Sequence, residues 1–466
     1  MILLLIACLG RSETLDTGPF DDDGDGVPNP EDCAPDDPAI GPGPELCDGI
    51  DNDCDGLEDE GFDLDEDGIA DCLEPCPIWV APQGSAQPDG SEEAPYGSIT
   101  RAIASTGSTC REVRVAAGSY TENVDFGESE AQVIGAGAGL SILEPAQAGS
   151  VVTIAGAQSS DTLLQGFTIR GGQGTNGDGD RLPAHYRHGG GLLVMDANPT
   201  LVALELVDNV VTGRGGGALL YNWDGSLTDS TFQGNASTDY PEYAGGGLYL
   251  YRSEGRVSGC TFTDNHVQGP ESDGGGIMSW RGRPEIDGNR FFGNTATASG
   301  GALRSADAQV FVVNNLAVDS APDGMRFSYD DLGLVANNTV IGSQTDGMRT
   351  QTSGEYEGPG PQLEMANNLL LDNGGYGLQL TGSYSVDWHH NLIFGSTLGA
   401  YAAEDWTPGE ANVSGDPLLD VSYTPQPGSA AIDAGDNLGA GVGDDLVGTA
   451  RPQGAAWDIG ALEAVE

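Results

Sequence analysis

The sequence predicts an all-β fold, a long solenoid of short parallel strands preceded by a small irregular acidic module. Three observations carry this. Gly-rich starts recur at Gly189-Gly190-Gly191, Gly215-Gly216-Gly217, Gly245-Gly246-Gly247, Gly274-Gly275-Gly276 and Gly300-Gly301, with shorter versions at Gly324 and Gly347, a step of 23 to 30 residues. The units between them are short apolar strands and turns, with no helix-length amphipathic pattern. Charge falls away sharply after the first 78 residues, which hold 24 acids and one base, against 48 acids and 16 bases in the remaining 388.

The whole chain of 466 residues carries 72 acids and 17 bases, a net −55, and every base is Arg. That balance excludes nucleic acid as a partner, because phosphate binding is driven by clustered cations. It also excludes any enzyme that depends on a catalytic Lys.

Taken in order, Met1 to Ala7 is an apolar run followed by Cys8. Leu5-Ile6-Ala7-Cys8 resembles the bacterial lipobox, which implies export, lipidation at Cys8 and an outer-membrane lipoprotein at the cell surface. No other stretch is long and apolar enough to span a membrane, so membrane contact is expected only through that anchor. Residues 1–8 therefore read as signal peptide and lipobox, and 9–20 as a linker. Cys33, Cys47, Cys54, Cys72, Cys76 and Cys110 cluster early, as in exported modules with little core, and allow 15 pairings. Cys260 reads as a buried small residue.

Residues 21–77 form the acidic module, and its acids are spaced. Asp21, Asp23, Asp25, Gly26, Asn29 and Asp32 occupy positions 1, 3, 5, 6, 9 and 12 of a twelve-residue loop. Asp63, Asp65, Asp67, Gly68, Asp71 and Glu74 fill the same places in a second. Between them Asp51, Asp53, Asp55, Gly56 and Asp59, with Glu60 adjacent, give a third loop with Phe62 at its last position. Alternate carboxylates around a Gly-permitted turn supply the six to eight oxygens that calcium needs, and the all-oxygen set favours Ca²⁺ over copper or zinc. The metal is read as structural. Cys47-Asp48-Gly49-Ile50-Asp51-Asn52-Asp53-Cys54-Asp55-Gly56 resembles the metal-binding motif of bacterial surface proteins related to the MopE family. The flanking loops resemble thrombospondin type 3 calcium repeats.

Residues 78–410 form the repeat body. Two polar columns set its register: Asn209, Asn235, Asn265, Asn294 and Asp319, and a second of Ser230, Cys260, Asn289, Asn314, Asn337, Asn367 and His390. Stacking coils superposes such positions, so that amides hydrogen-bond along the axis and satisfy turn backbone groups. With these columns the body resembles a right-handed parallel β-helix of the pectate-lyase-like class. Trp79 through Glu122 resembles the entrance of bacterial members, with Ser98 to Thr106 as a capping helix. Asp416-Pro417-Leu418, Pro427 to Asp433 and Asp458-Ile459-Gly460-Ala461 resemble the closing segment, here 411–466, of surface proteins called choice-of-anchor Q. From about residue 113 to 400, at about 25 residues per coil, eleven or twelve coils are expected, a rod of roughly 55 Å.

Fold alone carries no function. Asp330-Asp331 reads as a surface turn, and His185 with His188 as a pair spaced for a metal but lacking a third ligand. Four residues after the last Gly of successive triplets stand Tyr221, Tyr251 and Trp280, with Trp223, Asp224, Arg252 and Arg281 beside them. Aromatic faces beside Arg forks suit a groove for sugar rings; the alternative is an aromatic stack at a coil corner. The loop Gly171 to His188 is expected to be mobile. The resulting expectation is a monomeric, calcium-binding surface protein that presents a β-helix rod to a polysaccharide or cell-surface glycan without cleaving it. Its alternative is a polysaccharide lyase or glycoside hydrolase acting on an acidic polysaccharide.

Overall fold

The computed structural model describes residues 76–465 except 108–109, 329–331, 352–361, 382–384, 404–408 and 410. Within the first 75 it describes 21, 22, 24, 28, 29, 34–38, 40, 45, 46, 50, 51, 59 and 61. The chain divides into two compact units, Met1–Glu74 with Gly107–Cys110, and Pro75–Thr106 with Arg111–Glu466. A disulfide joins Cys76 to Cys110 in the N-terminal region. The other four cysteines of the early cluster lie outside the described residues, and Cys260 is free and buried.

The second unit opens with strand Ile78–Val80, which pairs in parallel with Glu112–Val115. Between them lies one helix, Ile99–Ala104, within the span expected for a capping helix. Ser98 caps its N-terminus through Arg101 N, and the Glu122 carboxylate accepts from Ile99 N at 2.7 Å, so the free amides of the first turn are satisfied. Among the described residues no helix is long and apolar enough to cross a membrane.

The body is an all-β parallel solenoid. One coil shows the plan: Ala218–Tyr221 in a first sheet, Ser226–Thr228 in a second and Thr231–Gln233 in a third. Each strand pairs in parallel with its counterpart one coil on, Leu248–Ser253, Arg256–Ser258 and Thr261–Thr263. The eleven-residue strand Leu303–Val313 runs round the corner between the first two sheets and joins them into one 22-stranded sheet. The third sheet has eleven strands, which gives about ten turns.

Glycine is obligatory where coils stack closest. A Cβ on Gly216 would sit 2.3 Å from the Gly246 carbonyl oxygen, and Gly215 beside it has φ +72°. The corners need left-handed backbone too, and Asp or Asn supplies most of it: Asp208, Asp264 and Asp319 at one corner, Asn314, Asn337 and Asn367 at another.

Inside, Phe232, Phe262 and Phe291 stack with ring centroids 4.7 and 5.0 Å apart. The first polar column forms as expected from Asn209 to Asn294: each side-chain amide donates to the next at 2.9–3.0 Å. Two register assignments need correction. Phe291 pairs with Ala317, not Leu316, so the fifth place belongs to Ser320 and Asp319 is the left-handed residue before it. The second column likewise continues from Asn289 through Asn315, Asn338, Asn368, Asn391 and Asn412, each bonded to the next. Asn314, Asn337, Asn367 and His390 are the left-handed residues one step earlier. Adjacent Asn-Asn pairs offer two registers, and the left-handed corner takes the first of each pair.

Those four residues face the closing segment. Arg451 Nη2 donates to Asn314 Oδ1 at 3.4 Å, Asn337 Nδ2 to the carbonyls of Asp458 and Gly460, and Asn367 Nδ2 to the Asp436 carbonyl at 2.8 Å. The segment packs over the coils through three apolar clusters: Leu446 and Leu462 on Leu316, Trp457 and Val442 on Ala336, and Ile459 on Leu369. Its own centre is a fully buried ion pair, Arg451 to Glu463 at 2.8 Å, tied in by the carbonyls of Asp458 and Gly460 and by Gln453 N.

Candidate functional site

The strands of the first sheet alternate in and out. In Leu248–Ser253, Leu248 and Leu250 face the core, while Tyr249 and Tyr251 belong to an outer cluster with Leu193, Met195, Leu219, Tyr221, Met278 and Trp280. The pairing register extends this outer face along the body. One column runs Leu193, Leu219, Tyr249, Met278, then Arg304, Arg326 and Arg349. Its neighbour runs Met195, Tyr221, Tyr251, Trp280, Ala306, Ser328 and Gln351. An apolar and aromatic half is thus followed by three stacked arginines.

The aromatic half is partly roofed. The segment from Gly171 to His188 folds into a hairpin, Thr175–Asn176 against Arg187–His188. Asp178 builds its turn by accepting from the amides of Asp180, Arg181 and Leu182, and the Leu182 amide, then the Arg181 guanidinium, hold its carboxyl well below the usual carboxylate range. Leu182 then packs onto the outer cluster. Arg214 lies over the rings of Tyr240, Tyr249 and Trp280 at 4.8–5.5 Å, a cation held by aromatic faces. His188 is no metal ligand: its Nε2 donates to the Pro183 carbonyl and its Nδ1 accepts from Arg214 N. Burial pushes its imidazole down to about 4, while His185 is exposed.

The seven residues singled out for glycan contact divide. Tyr221, Tyr251 and Trp280 do stack on adjacent coils, with centroids 4.9 and 5.4 Å apart. Tyr221 is buried, while Tyr251 and Trp280 are half-buried. Arg252 and Arg281 take left-handed backbone and lay their guanidiniums over the Tyr251 and Trp280 rings. Asp307 stands 3.8 Å from Arg281. Asp224 is exposed at the corner. Trp223 is not on this face: it is fully buried, donates Nε1–H to the Pro199 carbonyl, and fills space left by Gly255.

Of the metal candidates, four are described. Asp21 Oδ1 accepts from Gly24 N, and Asn29 bonds Asp22 through both its amide atoms. Asp51 is half-buried, and Asp59 is buried with its amide donating to Glu45 Oε2 at 3.1 Å. Asp23, Asp25, Asp32, Asp53, Asp55, Glu60, Asp63, Asp65, Asp67, Asp71 and Glu74 lie outside the described residues, as do Cys8 and Asp330-Asp331.

The arginine column was not anticipated, although Asp-Gly-Met-Arg occurs twice, at 323–326 and 346–349. Arg304 is 2% exposed and pairs with Asp273 at 3.6 Å. It leans onto Ser328 of the next coil, as Arg326 leans onto Gln351. Among the described residues neither Arg326 nor Arg349 has a carboxylate within ion-pair distance, and their Nε atoms are buried without a hydrogen-bond partner. At the ~5 Å spacing of neighbouring strands, like unit charges repel by about 3 kcal/mol at an effective dielectric of 20. Burial, then the charge of Arg304, pushes the Arg326 guanidinium below its usual value. Asp323 beside it is 2% exposed, with Oδ1 accepting from Gly300 N and Oδ2 unpartnered. Its carboxyl is raised by burial, which the nearby guanidiniums oppose. Stacked guanidiniums without a carboxylate beside them can take an anion.

Cys260 offers no chemistry; burial pushes its thiol up to about 12.

No curated protein matches the sequence. Among solved structures, the chain is similar to one titled as the crystal structure of pectate lyase Pel9A, at 16% identity over 83% of this chain and 96% of that one, with a TM-score of 0.42. A family model described as right handed beta helix region matches residues 216–409. With the parallel stacking of its sheets, that match makes the body a right-handed parallel β-helix.

Proposed function

We propose that the outer face of the first sheet holds an acidic polysaccharide, bound and not cleaved, on a calcium-braced protein exported to the bacterial surface and anchored at Cys8. The observation that carries this reading is the column Arg304, Arg326 and Arg349. In a chain of net −55, three of the 17 cations are stacked on consecutive coils, and two have no carboxylate partner among the described residues. Uronate carboxylates would supply the missing acceptors. The acidic module, with calcium in its loops, would stand as a spacer. Long-range repulsion between the acidic chain and a polyanion is screened by salt, while the close guanidinium contacts are screened less. Binding should therefore strengthen as salt rises from low to physiological concentration.

Affinity electrophoresis through gels containing polygalacturonate, alginate or neutral glucan tests this. Retardation by a uronate polymer, lost in Arg326→Gln, is expected; equal migration of both proteins in every gel would sink the proposal.

One observation favours cleavage as a second reading. The buried Asp323 carboxyl, raised and unpartnered at Oδ2 beside Arg326, resembles an acid–base pair. Release of new reducing ends or unsaturated uronide from these polymers, abolished by Asp323→Asn, would replace the binding reading with it.

A further inference from the structure

We infer that His389, His390 and Asp436 form a binding site for a single transition-metal ion of the zinc class. It lies where the last coil meets the returning closing segment, away from the arginine column. One ligand atom from each residue lies within 4.8 Å of the others. The two imidazoles face each other through Nδ1, 3.0 Å apart. Two nitrogens bound to one zinc at about 2.0–2.1 Å in tetrahedral geometry stand about 3.3 Å apart. A shift of a few tenths of an ångström would therefore admit the ion.

The surroundings prepare the ligands. His389 Nε2 stands 3.3 Å from Glu364 Oε1. A carboxylate only accepts, so Nε2 carries the proton and the Nδ1 lone pair points at the site. A carboxylate behind a ligating imidazole is the arrangement that fixes tautomer and ring orientation at metal centres. His390 has φ +51° and occupies the corner place that Asn314, Asn337 and Asn367 fill on earlier coils, each gripping the closing segment. Asp436 is held in register by Asn367, which donates to its carbonyl and accepts from its amide, both at 2.8 Å. The carboxylate is thus presented to the one corner where a ligating side chain replaces the amide. Two nitrogens and one oxygen suit zinc or copper rather than calcium, and leave a fourth position for water. A bound ion would tie the segment to the last coil, as the three Asn contacts do along the body.

The test uses the full chain in excess calcium, so that the acidic loops are saturated, with Zn²⁺ titrated against a chromophoric chelator. Wild type should bind one equivalent that competes with the chelator, and Co²⁺ in its place should give the visible absorption of a tetrahedral site. His389→Gln and Asp436→Asn should each lose that equivalent. Glu364→Gln should keep it with about 10–100-fold weaker affinity. His390→Asn keeps the residue type that the other corners use, so its loss of zinc would not reflect misfolding; unchanged circular dichroism in chelator checks this. Zinc bound equally by wild type and His390→Asn, or no competing equivalent in wild type, would reduce the cluster to a His–His hydrogen bond and overturn the inference.

Discussion

Acidification should open the hairpin that roofs the aromatic half of the first sheet, and His188 sets where. The ring is fully buried. Its Nε2 donates to the Pro183 carbonyl at 3.2 Å, and its Nδ1 accepts from Arg214 N at 3.1 Å. A second proton on Nδ1 would confront that amide and the nearby Arg214 guanidinium. The imidazole is pushed down to about 4 in the fold, chiefly by burial, from 6.5 when free. Because the folded value is depressed, the folded state binds fewer protons, so stability is fully present above about 6.5 and is lost as pH falls toward 4. At pH 4.5 the loss is about 2.5 kcal/mol, a roughly 75-fold rise in opening. Hydrogen exchange at Arg214 N and at the hairpin amides, corrected for intrinsic rates, measures it between pH 7.5 and 4.5. His188→Gln, which cannot titrate, should show little of the change. An equal fall in protection in wild type and variant would refute the argument.

Other outcomes follow from the same contacts. Asn265 donates to the Phe232 carbonyl and Asn294 and accepts from Asn235 N and Nδ2, all in the buried core; Asn265→Ala should cost about 3–4 kcal/mol by leaving those groups unpaired, read as a fall in thermal midpoint, and no fall would deny the ladder its role. Arg451→Met strands Glu463 in a fully buried site and should weaken docking of the closing segment by about 3–5 kcal/mol, seen as faster proteolysis after residue 411; the double change Arg451→Met with Glu463→Leu should recover much of it. Gly216→Ala would force a Cβ to 2.3 Å from the next coil's carbonyl and should destabilise by at least about 1–3 kcal/mol, with denaturation as the check.

The periodicity of glycines and the Asn column made the solenoid readable, because stacking coils demands the same residue type at the same place. Periodicity alone left a one-residue ambiguity wherever Asn follows Asn. Asn314 and Asn315 differ only in that one takes left-handed backbone and faces outward while the other joins the buried ladder. The arginine column is legible in principle, since Asp-Gly-Met-Arg repeats, but the Gly spacing that sets the register says nothing of the Arg two residues on. Trp223 went the other way: its sequence neighbours are surface residues, yet Gly225 and Gly255 open a space that only the fold reveals. Asp436 joins the adjacent His389 and His390 only in three dimensions, where the closing segment comes back to the coil.

In the proposed complex Arg326 and Arg349 lie under a bound acidic glycan. Hydrogen exchange of the full chain with and without a uronate oligomer, at physiological salt, tests it most directly. Added protection is expected, centred on Leu303–Ala306, Met325–Ser328 and Met348–Gln351, and absent in Arg326→Gln. Protection confined to other strands, or the same protection in the variant, would contradict it.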